Sequence, residues 1–183
     1  MAFVYQDKFA EAEEHTQQLE ASGHRSIKLA LLRSQIAWAM GEYDRAAAYA
    51  SLALREDENH AEARYRYIVA LAAQEAKRKD ALALGQAFLS EQPRSPVAMA
   101  ALGTVFYHAE AFEDAVKYFR PVVNHPSMPA EPQFYFGKSL ANHGKLDEAQ
   151  AVARLVQARA AQPGVFLNRA AAQSWTEEIL KSE

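Results

Sequence analysis

Residues 96–126, PVAMAALGTVFYHAEAFEDAVKYFRPVVNHP, carry the spacing on which the fold turns. Leu102, Gly103 and Phe106 recur at helical intervals and mark a first short helix. Ala115 and Phe119 mark a second, Glu110 to Phe112 form the turn between them, and Pro126 is the stop. The stretch reads as two helices folded back on each other, with the small residues where the two come closest.

The same pattern repeats outward in both directions. Ala12, Ala46, Ala81, Ala115 and Ala149 each open a helical stretch, and their successive gaps are 34, 35, 34 and 34 residues. A fixed period of this length is the signature of stacked supersecondary units. Three positions before each alanine stand Phe9, Tyr43, Arg78, Phe112 and Leu146. Four of these five are bulky apolar side chains, as a wedge at a helix entrance requires.

Read in chain order, Asp7 to Leu19 is the second helix of a hairpin whose first helix is missing or reduced to residues 1–5. This makes residues 1–24 an N-terminal cap or half repeat. Four units follow at 27–60, 61–95, 96–129 and 130–163. In the first, Ser26 is the expected N-cap, with helices at Ile27–Met40 and Tyr43–Leu54. The second has Ala61–Glu75, with Tyr65, Ile68, Val69 and Ala72 buried, a basic corner Lys77–Lys79, and Asp80–Ser90. In the third, the second helix contains Pro121, which lacks the donor for the Lys117 carbonyl and should kink or shorten it. The fourth comprises Gln133–Asn142 and Leu146–Ala161, after the bend at Pro126, Pro129 and Pro132 and before Pro163 and Gly164. Residues 164–183 form a capping helix with Leu167, Ala171, Trp175 and Ile179 on one stripe, covering the apolar end that a stack exposes.

Composition agrees with an all-α chain. Of 183 residues half are apolar, while Gly and Pro number seven each, which favours helices. The net charge of −3 comes from 20 basic and 23 acidic residues mixed along the chain, so no overall field draws nucleic acid or an acidic membrane. There is no cysteine, which rules out disulfides, thiolate metal sites and a cysteine nucleophile. No apolar run approaches the roughly 20 residues that span a bilayer, and residues 1–15 do not have the make-up of a secretory signal. A complete chain of this kind is expected in the cytoplasm. One that has lost an upstream signal fits the periplasm as well, so the sequence leaves the compartment open.

The pattern resembles the tetratricopeptide repeat, a unit of about 34 residues with Leu-Gly, Tyr, a small residue, an aromatic and a closing proline. The match rests on Leu102, Gly103, Phe106, Ala115, Phe119 and Pro126 in the third unit. In the fourth it rests on Phe136, Gly137, Leu140, Gly144 and Ala149, and in the first on Gly41, Tyr43, Ala46 and Ala53. The second unit departs most, since Gly85 replaces the expected aromatic. The resemblance covers roughly three quarters of the chain. It implies a single domain, a right-handed superhelix of stacked antiparallel helix pairs (an α-solenoid), in which Gly103 and Gly137 face Ala115 and Ala149.

Enzymatic chemistry is not expected. The six histidines show no paired metal-ligand spacing; Glu11 with His15 and Glu56 with His60 read as surface pairs on helices. No glycine-rich phosphate loop or nucleophile elbow occurs. The expectation is therefore no catalysis, no metal and no cofactor. Lys77–Lys79 reads as a solvated corner, without the interleaved aromatics of a nucleic-acid surface.

What the stack implies instead is a concave face lined by the first helices. Its predicted partner-binding residues are Lys28, Leu31, Gln35, Trp38, Arg66, Gln74, Thr104, Tyr107, His108, Phe134, Lys138 and Asn142. Leu31, Trp38 and Phe134 have an alternative role in packing between helices. Amides and hydroxyls suit a peptide backbone, aromatics supply anchors, and Lys28, Arg66 and Lys138 suit carboxylates. The Lys and Asn set with which chaperone-binding members of the family clamp a terminal carboxylate is absent, because Gln35 and Ala70 stand where asparagine is wanted.

The function expected is a non-catalytic scaffold that binds a peptide or helix of a protein partner. The alternative is a segment of a longer array, or a self-associating scaffold, in a bacterial envelope or secretion assembly; the half hairpin at 7–19 motivates it. A third reading makes Trp175 a partner anchor on an adaptor's last helix.

Overall fold

Four helix starts are fixed by a side chain on the residue before them. Ser26 accepts from the Leu29 amide at 3.2 Å, as expected, and Ser95, His60 and Asn168 do the same for Ala98, Ala63 and Ala171. Each satisfies an amide that the first turn leaves unpaired. A computed structural model of the chain describes residues 8–125, 130–160 and 168–182. The expectations for residues 1–5, Pro126, Pro129, Pro163, Gly164 and Leu167 lie outside them.

The described residues form ten α-helices and no strand: α1 (Phe9–Ala21), α2 (Ile27–Ala39), α3 (Tyr43–Glu56), α4 (Ala61–Ala72), α5 (Arg78–Glu91), α6 (Pro96–His108), α7 (Phe112–Phe119), α8 (Glu131–Asn142), α9 (Leu146–Ala160) and α10 (Arg169–Ile179). The fold is all-α. Phe9, Tyr43, Arg78, Phe112 and Leu146 are each the first residue of a helix, so the five helix entrances fall where the period puts them.

The corners repeat as well. The amides of His24, Glu42, Ala111 and Lys145 reach back to the carbonyls of Leu19, Ala37, Phe106 and Leu140 at 2.9 to 3.1 Å. This is the six-to-one bond of a Schellman motif. It needs a left-handed residue just before, supplied by Gly23, Gly41 and Gly144 and by Glu110 at φ 59°. The second unit departs from the pattern. Helix α4 ends at Ala72, earlier than expected, and a 3₁₀ turn at Glu75–Lys77 leads into α5. The single 35-residue gap falls across this corner.

Helix α7 stops at Phe119, two residues before Pro121. The proline therefore lies beyond the helix, which it shortens without kinking.

Helices α2, α4, α6 and α8 pack in succession, and α3, α5, α7 and α9 each sit between two consecutive even helices. The tight positions are the repeated alanines: Ala46, Ala81, Ala115 and Ala149 are completely buried. The glycines hold different partners from those expected. A Cβ on Gly103 would lie 2.7 Å from the Phe119 ring, and one on Gly137 2.3 Å from Trp175 in α10. Neither glycine has its unit's alanine as nearest neighbour. Gly85, where an aromatic was expected, leaves room for Leu102 of the following helix, 2.9 Å from its would-be Cβ. The missing ring is replaced by a leucine from the next unit.

Candidate functional site

The ends of α6 and α8 carry aromatic side chains on adjacent turns, and these meet in a continuous chain of rings. Trp38 lies 5.0 Å from Tyr43 and 6.3 Å from His108, edge-on. His108 lies 5.8 Å from Tyr135, Tyr135 is 4.8 Å from Tyr107 and 5.5 Å from Phe134, and Phe134 meets Trp175 edge-on at 5.6 Å. Offset and edge-to-face rings at these distances stabilise one another beyond the area they bury.

Beside this chain lies a groove of ≈ 860 Å³ between the start of α5, the end of α6, and helices α8 and α10. Arg78, His108, Lys138 and Trp175 line it, together with Tyr107 and Phe134. Each is placed by its helix. Arg78 opens α5 and is held by a bond from Nε to the Ala72 carbonyl at 3.3 Å. The Lys138 ammonium stands 5.3 Å from the Phe134 ring centre and 5.7 Å from that of Tyr107, within cation–π range. Trp175 is fixed by the space at Gly137, so α10 forms a wall of the groove as well as an end to the stack.

The electrostatics follow from burial and from the two cations. Burial first, then Arg78 and Lys138, lower the His108 imidazole to about 4. The ring is therefore neutral at pH 7, and its Nε2 is buried with no hydrogen bond. Burial pushes the Tyr135 and Tyr65 hydroxyls above the usual phenol range. Both tyrosines are neutral at any ordinary pH.

The twelve predicted binding residues divide into groups. Tyr107, His108, Phe134, Lys138 and Asn142 come together in the groove, with Phe134 buried in its wall against Trp175, the packing role that was its alternative. Leu31 and Thr104 are corrections, because both are core residues. Leu31 is buried against Ala53 and Ala63, and the buried Thr104 hydroxyl bonds the Ala100 carbonyl at 2.9 Å. Arg66 and Gln35 both turn to Glu62, Arg66 at 2.8 Å and Gln35 at 3.4 Å. The Gln74 amide closes on the Ala70 carbonyl, Trp38 is taken up by Tyr43 and His108, and Lys28 is exposed away from the groove. Lys138 is thus the groove lysine, while Lys28 and Arg66 stand apart from it.

Nine groove residues were not on the predicted list, Arg78, Phe112, Trp175 and the carboxylates Glu110 and Glu178 among them. The sequence held a signal for one of them. Arg78 is the only charged residue among the five helix entrances, and a break in a repeat is where a side chain has been diverted from packing. The basic corner is accordingly not one solvated patch. Lys77 pairs with Asp44 at 2.6 Å, Lys79 is exposed, and Arg78 lines the groove.

The described residues include no group of three or more His, Asp or Glu side chains able to hold a metal ion, and no helix long and apolar enough to cross a membrane. Compared with known families and with characterised proteins, the chain matches no family model and no curated protein.

Proposed function

We propose that the chain is a right-handed tetratricopeptide-like superhelix that binds a peptide or helix of a protein partner, without chemistry of its own. The reading rests on the 34-residue period and on the stacking of alternate helices. The observation that carries it is the groove of ≈ 860 Å³ beside α6, α8 and α10, a volume in the range of about 300 to 1,000 Å³ typical of ligand sites. Its walls offer aromatic anchors and amide or charged groups side by side, the mixture that favours a peptide.

The test contrasts two cations at which the sequence expected contact. Partners captured from the source cell and identified by mass spectrometry are rebound to Lys138→Glu and to Arg66→Glu. The groove reading expects Lys138→Glu to weaken binding about tenfold or more, and Arg66→Glu, on the Glu62 side, to leave it near wild type. Equal affinity for wild type and Lys138→Glu discards the groove as the site.

A further inference from the structure

Most cations of this protein that are drawn out of full solvent have a carboxylate to meet. Arg33 pairs with Glu20, Arg64 with Glu91 and Arg66 with Glu62. Arg159 turns to the Gln133 amide instead, and in the groove the pattern fails for two cations together. Arg78 and Lys138 are half-buried, and neither has a carboxylate partner among the described residues. The bond from Arg78 Nε to Ala72 leaves the two terminal nitrogens of the guanidinium for another acceptor. His108 lines the groove with them and feels both charges, and its buried Nε2 has no partner. Two cations and an imidazole thus line one groove without a carboxylate partner.

We propose that Arg78, His108 and Lys138 together hold one carboxylate, carried by an Asp or Glu side chain within an otherwise apolar segment of the partner. This inference rests on the groove reading above. The apolar flanks of the segment lie against Phe134, Tyr107 and Trp175. Glu110 and Glu178 line the same groove and are exposed. They repel a second negative charge, so a polyacidic tract or a nucleic-acid backbone does not fit, while a single carboxylate does.

The histidine gives the complex a signature. The groups facing His108 are Arg78 from α5, Tyr135 and Lys138 from α8, Tyr107 on its own helix and Trp38 from α2. None carries a negative charge at neutral pH, and together with burial they keep the ring neutral. A carboxylate placed among them favours the imidazolium. Binding therefore takes up a proton when the pH lies between the value of the free ring, about 4, and the higher value in the complex.

The experiment selects peptides from a random display library on the purified full chain, then measures them as synthetic peptides with both ends blocked. The expected winners carry one Asp or Glu between apolar residues. They weaken about tenfold or more when that residue becomes Gln or Asn, and similarly on Lys138→Glu. Calorimetry at pH 5.5 in two buffers of different ionisation enthalpy should show proton uptake by the wild type and none by His108→Gln. Thermal melts confirm that each variant is folded. Winners without an acidic residue that are blocked by Asn142→Trp, an exposed groove position, overturn the carboxylate and leave the groove reading standing. No winners, or winners indifferent to both Lys138→Glu and Asn142→Trp, overturn both. Acidic winners that take up no proton remove His108 from the site.

Discussion

The face shared by α2 and α4 and the face shared by α6 and α8 are built from equivalent repeat positions, yet one is closed and the other open. On the first, Gln35 and Arg66 both turn to Glu62, Leu31 lies in the core, and Trp38 leans across to His108. On the second, Tyr107, Lys138 and Asn142 surround ≈ 860 Å³ of empty space. The difference starts with two residues. Glu62 gives the N-terminal cations and amides an internal partner, whereas Arg78, in place of an apolar wedge, adds a cation to the C-terminal side without one. A repeat thus sets the positions of a surface, and its departures decide which part of that surface remains available.

The strongest way to break the contrast is at Gly137. A Cβ there falls 2.3 Å from the Trp175 ring and 3.1 Å from Val152, so Gly137→Val must displace α10, the wall of the groove. The expected cost is about 3 kcal/mol, at the upper end for overpacking, read as a lower midpoint in urea unfolding. Peptide binding should be lost with it.

A second prediction concerns His108, where the two halves touch through Trp38. Its pKa is lowered from 6.5 to about 4 in the fold. The unfolded chain therefore binds more protons between those values, and stability falls as the pH drops through that window. Allowing for partial exposure, the loss should be about 2 kcal/mol by pH 4. Urea unfolding at pH 7 and pH 4.5 should show a smaller difference in His108→Gln than in the wild type.

The smallest effect is expected at the groove rim. Glu110 holds φ at 59°, the left-handed geometry that Gly41 and Gly144 supply at the equivalent corners. Glu110→Gly should raise stability by about 1 kcal/mol by relieving that strain. It should also tighten binding of an acidic peptide by removing a repelling charge. A stability gain with unchanged affinity would mean that the rim carboxylate does not reach the bound segment.

Much of this architecture was legible in the chain. The period of the alanines placed all five helix entrances, and Ser26 announced its cap, because these depend on local spacing and nearby backbone bonds. The corner at Glu75–Lys77 was less legible, since one inserted residue has several ways to be absorbed. The site was half legible. Tyr107, His108, Phe134, Lys138 and Asn142 follow from helical phase, but phase alone cannot distinguish the cation that finds Glu62 from the one that finds none.

The sequence by itself determined an all-helical chain of repeated hairpins, because a period of 34 residues and buried small side chains are properties of neighbours along the chain. Only the tertiary structure decided which ring fills each glycine's space, that α10 forms a wall, and that Arg78 and Lys138 share one groove. Those outcomes depend on contacts between residues far apart in sequence, such as Gly137 with Trp175 and Trp38 with His108. No local pattern encodes such pairs.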